Sequence, residues 1–128
     1  MFGTFQQRTL RIEVNASEEV LRKSLASPAE FPKWLWFERF STGLPDEARP
    51  GLTFKSWVGP ITIHHQVEVA EPNRIRFLLS QGIDGFHEWA WGDGWIQSRI
   101  EGISALPIHL GQTASLLCLK QFLGSPEG

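Results

Sequence analysis

Between Leu52 and Ile103 the chain is a succession of apolar–polar alternations broken by short turns, and that pattern leaves few folds open. Alternation with a period of two marks a strand with one face buried. Leu52 to Val58 and Ile61 to Ala70 meet across Gly59-Pro60. With Val58 opposite Ile61, Ser56 lies by Ile63, Phe54 by His65 and Leu52 by Val67. These residues share one face. Thr53, Lys55, Thr62, His64, Gln66 and Glu68 share the other, where Trp57 is the exception. A slip of one residue would send every side chain to the wrong face, so agreement across two strands specifies the register. A three-residue loop at Glu71-Pro72-Asn73 sets Val69 by Ile75, Val67 by Phe77 and His65 by Leu79, which carries the apolar face into Arg74 to Ser80. Gln81 to Gly85 then reads as a loop.

The next segment, Gly85 to Ile103, is a hairpin holding Trp89, Trp91 and Trp95. Two registers are open. A two-residue Asp93-Gly94 turn is the preferred one, because Asp-Gly suits the tight turn of a hairpin. It sets Trp91 by Ile96, Trp89 by Ser98 and His87 by Ile100, with Glu88 opposite Arg99 as a surface ion pair on the other face. A three-residue Gly92-Asp93-Gly94 loop would instead stack Trp91 on Trp95 and turn Glu88, Phe86 and Ile100 inward.

The flanks complete the order. Thr4 to Val14 reads as a strand, and Ser17 or Asn15 can cap a helix that begins with Glu18 and Glu19. Val20, Leu21 and Leu25 form that helix's apolar face. Pro28 to Trp34 reads as a second short helix, Trp36 to Ser41 as a short strand and Thr42 to Gly51 as a loop. Leu106 to Leu123 is the last and longest helix, with Leu106, Leu110, Ala114 and Leu117 as its main stripe. Gly111 inside it lowers helix propensity, and either permits close packing or leaves room beside a ligand. The order implies an α+β fold, an antiparallel sheet that buries one face under a single long helix. A strongly curved sheet gripping one helix can leave a cavity between them.

Composition narrows the function. Nine Phe and six Trp accompany no Tyr, which suits a core or an apolar cavity better than a wet surface. Net charge is −2 without any basic run, so no nucleic-acid groove is expected. Cys118 is alone, which excludes an internal disulfide and a cysteine metal cluster. Nothing reads as a signal peptide or a membrane-spanning run, so a cytoplasmic protein of one domain over 1–128, without stable membrane insertion, is expected.

Particular residues resemble the SRPBCC superfamily, which includes START lipid-transfer domains, birch-pollen-allergen-like proteins, polyketide cyclases and the activators of the Hsp90 ATPase. Ile12-Glu13-Val14-Asn15-Ala16-Ser17-Glu18-Glu19-Val20 is similar to that family's strand-to-helix entry. Phe31-Pro32-Lys33-Trp34 looks like its short second helix, and Gly51-Leu52-Thr53-Phe54 and Arg74-Ile75-Arg76-Phe77 look like its strand starts. The chain is short for the group, and Leu21 stands where tryptophan is common. The resemblance implies a helix-grip fold, with about seven antiparallel strands curved around a C-terminal helix. It also implies a cavity for a hydrophobic ligand.

The leading expectation is a non-catalytic binder of a small hydrophobic or amphipathic molecule, with Phe54, His65, Val67, Phe77, Leu79, His87, Trp89, Trp91, Leu106 and Leu110 around the ligand. Trp57 is a weaker member, since its parity points outward. A cyclase- or dehydratase-like enzyme is the second reading, with His65, His87 or Glu88 as acid or base. An interaction module, monomeric or homodimeric, is the third, because Lys120 is the last helix's only formally charged residue. No nucleophile elbow, phosphate loop or zinc motif is present, and neither a cofactor nor a metal is implied.

Overall fold

The computed structural model describes residues 3–104 and 107–124. Seven antiparallel strands form one sheet: β1 Thr4–Glu13, β2 Arg39–Phe40, β3 Thr53–Val58, β4 Ile61–Glu71, β5 Arg74–Gln81, β6 Ile83–Gly92 and β7 Trp95–Ser104. Their spatial order is β1-β7-β6-β5-β4-β3-β2. Strands β2 to β7 are thus a simple meander, and the N-terminal strand closes it by pairing with β7 from Thr4↔Ser104 to Glu13↔Trp95. The three helices are α1 Glu18–Leu25, α2 Phe31–Trp34 and α3 Ile108–Leu123. A 3-10 turn, Pro28–Glu30, leads into α2, so the expected second helix is two short pieces. The α+β helix-grip architecture is present: a curved antiparallel sheet against which the long C-terminal helix packs, chiefly over β7 and β1.

The β3–β4 register is the one alternation demands, with Val58↔Ile61, Ser56↔Ile63 and Phe54↔His65. The hairpin β6–β7 takes the Asp93-Gly94 turn, with Trp91↔Ile96, Trp89↔Ser98, His87↔Ile100 and Glu88↔Arg99. Gly94 adopts φ +82°, a conformation that favours glycine. The turn has a second task. Asp93 Oδ1 accepts from the backbone N–H of Glu18 at 2.7 Å, while Ser17 Oγ accepts from Val20 N at 3.3 Å. The hairpin tip therefore helps cap α1, filling donors that the first turn of a helix leaves unpaired.

Several expectations need correction. The β4–β5 turn is Pro72-Asn73, two residues rather than three, so Ala70 rather than Val69 faces Ile75. A bulge between Val67 and Val69 absorbs the difference, and the expected pairs Val67↔Phe77 and His65↔Leu79 stand. The loop expected over Gln81 to Gly85 is a kink. Gln81 turns through φ +73°, Gly82 N donates to Thr62 O at 2.8 Å, and β6 begins at Ile83. The strand expected at Trp36 to Ser41 shrinks to Arg39–Phe40. In α1, Leu21 and Leu25 are buried but Val20 is 43% exposed.

The largest correction is the rotation of α3. Leu106 lies outside the described residues. Leu110 and Leu117, from the expected stripe, are 69% and 61% exposed, and the buried face is Ile108, Gln112, Ser115, Leu116, Cys118 and Leu119. A helix this poor in charge has no polar face to orient it. The side chain that does so is polar. Gln112 Nε2 donates to Ser98 O at 2.9 Å, Arg8 O at 3.1 Å and Ser98 Oγ at 3.1 Å, tying α3 to β7 and β1. Gln6 of β1 adds a cap, its Oε1 accepting from Ile108 N at 3.1 Å.

The aromatic residues gather at one end of the space between helix and sheet. Phe31 touches Trp34, Phe40, Phe54 and Phe77 at ring separations of 6.0, 5.8, 6.2 and 6.1 Å. Trp34 meets Trp89 edge-on at 6.1 Å and donates its indole N–H to Ser24 O at 3.1 Å. Such pairs add about 0.5–1.5 kcal/mol each beyond the area they bury. This end of the interior is closely packed, which leaves most of the open space to the other.

Candidate functional site

The opposite end of that interior is a cavity of about 310 Å³. The sheet contributes Val58 from β3, Ile63 and His65 from β4, Leu79 from β5, Ile83 and His87 from β6, and Ile100 from β7. The first half of α3 forms the roof through Ile108, Gly111, Gln112, Ala114 and Ser115. Phe37 and Glu38 close one side, and the exposed Leu110 stands on the rim. A Cβ added to Gly111 would meet nothing within 4 Å, so the glycine does leave open space on this wall. A smaller recess of about 50 Å³ continues toward the aromatic cluster. Glu38, His65, His87 and Ser115 border both spaces.

The alternation of β4 and β6 puts His65 and His87 on the cavity side, and each imidazole is held by a serine of a neighbouring strand. His65 Nε2 is 2.8 Å from Ser56 Oγ and stacks on Phe54 at 4.6 Å between ring centres. Glu38 Oε2 lies 3.7 Å from the same nitrogen, too far for a hydrogen bond. His87 Nε2 is 2.7 Å from Ser98 Oγ. Burial pushes the His87 pKa down to about 3, with a further contribution from the nearby His65. His87 is therefore a neutral imidazole at physiological pH, a donor and acceptor rather than a cation. Ser56 and Ser98 are both fully buried, and neither lines the cavity. They orient the imidazoles and present no nucleophile to its contents.

The residues expected around a ligand divide into groups. His65, His87, Leu79 and Leu110 border the main cavity. Phe54, Phe77 and Trp89 border the recess. Val67 and Trp91 are packed core, 1% and 0% exposed, and border neither space. Trp57 faces the outer side, with the Arg39 guanidinium 5.9 Å from its ring centre.

Glu88 also faces away from the cavity, and its expected surface pair with Arg99 is not formed. Its carboxylate accepts from Arg76 Nε at 2.8 Å and pairs with Arg76 Nη2 at 2.7 Å, with Arg74 Nη1 at 3.6 Å. Arg99 turns to Glu101 at 3.1 Å. Arginines of β5 thus cover Glu88 until it is only 9% exposed. Sequence reasoning missed Ser56, Ser98, Glu38 and Gln112. The first two were recoverable, since they stand on the apolar parity of their strands. Glu38 and Gln112 were not, because a loop and a helix whose polar residues are not gathered on one face carry no such parity.

No protein-family model matches the chain. No curated protein matches it in sequence. Solved structures do. Mll3558 from Rhizobium loti is 16% identical, with a TM-score of 0.73 over 97% of this chain and 98% of its own. The Aha1 dimer from Colwellia psychrerythraea is 15% identical, with a TM-score of 0.66 over 96% and 99%. DynU16, a protein in the dynemicin biosynthetic locus, is 16% identical, with a TM-score of 0.69 over 94% of this chain. The chain spans about half of DynU16, 49% of its length. Among the described residues no helix is long and apolar enough to cross a membrane. At such identities the likeness carries architecture alone, and the architecture it carries is the helix-grip fold.

Proposed function

We propose that the protein binds a small, largely apolar molecule between the sheet and α3, with the ligand's polar end beside His65 and His87. One observation supports this above the rest: a cavity of about 310 Å³, walled by apolar side chains, converges on two oriented imidazoles. Folded interiors leave few voids larger than a water molecule, so a space of this size is suited to an occupant. Its volume is near the lower end of the roughly 300–1,000 Å³ range of small-molecule sites. A compact ring system fits that better than a long acyl chain. The origin of DynU16 in a biosynthetic locus accords with a small-molecule ligand. The reading includes membership of the SRPBCC superfamily and a single domain across the chain.

Titration with the neutral probe N-phenyl-1-naphthylamine tests it. Saturable fluorescence enhancement is expected from the wild type. Gly111→Leu, which fills the roof from a position where a side chain meets nothing, should abolish it while preserving the folded state. No enhancement from the wild type, or equal enhancement from both proteins, would remove this reading.

A second reading has its own observation. Leu110 and Leu117 are seven residues apart on one helix face and both largely exposed, as is Trp36 at 76%. Self-association through this face predicts a concentration-dependent sedimentation coefficient that Leu117→Glu abolishes. A wild type that stays monomeric throughout would exclude it.

A further inference from the structure

The hydrogen bonds behind His87 determine what kind of polar group the cavity accepts. Ser98 is fully buried, so its hydroxyl must place its proton on a protein acceptor. Among the described residues, the acceptor in hydrogen-bond reach of Ser98 Oγ is His87 Nε2, at 2.7 Å. The remaining neighbour of that oxygen is Gln112 Nε2 at 3.1 Å, which is a donor. The amide orientation of Gln112 is itself unambiguous. The atom near Ser98 Oγ also faces two backbone carbonyls, Ser98 O and Arg8 O, so it is the nitrogen. Gln112 therefore offers Ser98 Oγ no acceptor, and Ser98 donates to His87 Nε2. A neutral imidazole that accepts at Nε2 carries its proton on Nδ1.

We infer that His87 presents a fixed Nδ1–H donor to the cavity, and that the ligand is a neutral molecule whose carbonyl oxygen accepts it. This rests on the cavity-binding reading above and names the chemistry of its polar end. Among the described residues Nδ1 has no protein partner, and the side chain borders both the cavity and the recess. The charges around it select against an anion. Glu38 borders the same two spaces, and its carboxylate already faces the only other imidazole there, 3.7 Å from His65 Nε2. A ligand carboxylate would enter without a cation of its own, which is costly in an apolar site. The depressed basicity of His87 points the same way, because the ring does not become a cation to receive one.

The experiment uses one ring system with three polar ends: 2-acetylnaphthalene, 2-ethylnaphthalene and 2-naphthoate, each competing with N-phenyl-1-naphthylamine. The ketone is expected to bind about tenfold tighter than the hydrocarbon, the yield of one well-placed hydrogen bond, and the carboxylate weakest. His87→Phe should erase the preference for the ketone while the hydrocarbon still binds. Ser98→Ala, which removes the proton that holds Nε2 as acceptor, should reduce it and serves if His87→Phe does not fold. Independently of any ligand, imidazole ¹⁵N shifts at neutral pH should show a protonated Nδ1 and a bare Nε2 for His87. Equal affinity for ketone and hydrocarbon, tightest binding of the carboxylate, or a proton on Nε2 would each overturn the inference and leave the cavity-binding reading standing. Failure of all three compounds and of the probe to bind would remove that reading and the inference with it.

Discussion

The neutral His87 makes stability depend on pH in a direction and amount that can be stated in advance. Its pKa is about 3 in the folded protein against an ordinary 6.5. Above pH 6.5 the ring is neutral in both folded and unfolded chains, and its burial costs nothing in protonation. As pH falls below that value the unfolded chain takes up a proton that the folded one refuses, and folding loses about 1.4 kcal/mol for each further pH unit until the folded pKa is reached. Between pH 7.5 and pH 5.0 the loss from this one group is about 2 kcal/mol. For a urea slope near 2 kcal/mol/M it lowers the unfolding midpoint by about 1 M. The rest of the protein also responds to pH, so the assay is a difference. Urea unfolding of the wild type and of His87→Phe is followed at both pH values. His87→Phe should start less stable, because Ser98 loses its acceptor, yet its midpoint should fall less on acidification, by about 1 M. If both proteins lose the same stability, His87 is not a buried neutral imidazole and the reasoning fails.

Two further outcomes follow from other parts of the fold. Asp93→Ala should cost about 1 kcal/mol, because it removes the acceptor that the hairpin tip extends to Glu18 N, whereas Asp93→Asn should lose less; thermal unfolding of the three proteins checks this. Arg76→Met should cost about 3 kcal/mol by leaving the covered Glu88 carboxylate short of its main partner, and Arg76→Met with Glu88→Leu should recover most of that; a double-mutant cycle showing simple additivity would contradict the arrangement.

The meander was legible because alternation is a local property with a strict period. From Leu52 to Ser80 each strand's apolar parity could be matched to its neighbour's, and the pairs around Phe54, His65 and Val67 follow from it. The same parity placed His65 on the cavity side, and His87 with it only in the Asp93-Gly94 register, which the structure adopts. Turn chemistry favoured Asp93-Gly94 over the longer loop, although nothing local showed that Asp93 would reach across to cap α1. A cap supplied from 75 residues away leaves no trace in the sequence around the helix it serves.

Alternation alone specified the class of fold, the β3–β4 register and the side of the sheet on which His65 stands. The rotation of α3 came from packing, because a helix whose apolar and polar residues are mixed around its circumference is oriented by what it meets. Here Gln112 meets Ser98 and Arg8, which turns Leu110 and Leu117 outward and puts Gly111 over the cavity. Tertiary structure likewise decided that Val67 and Trp91 are core, that Arg76 rather than Arg99 holds Glu88, and that Ser98 sets the tautomer of His87. Strand parity assigns a residue to a face, but which partner it finds there depends on side chains arriving from distant parts of the chain.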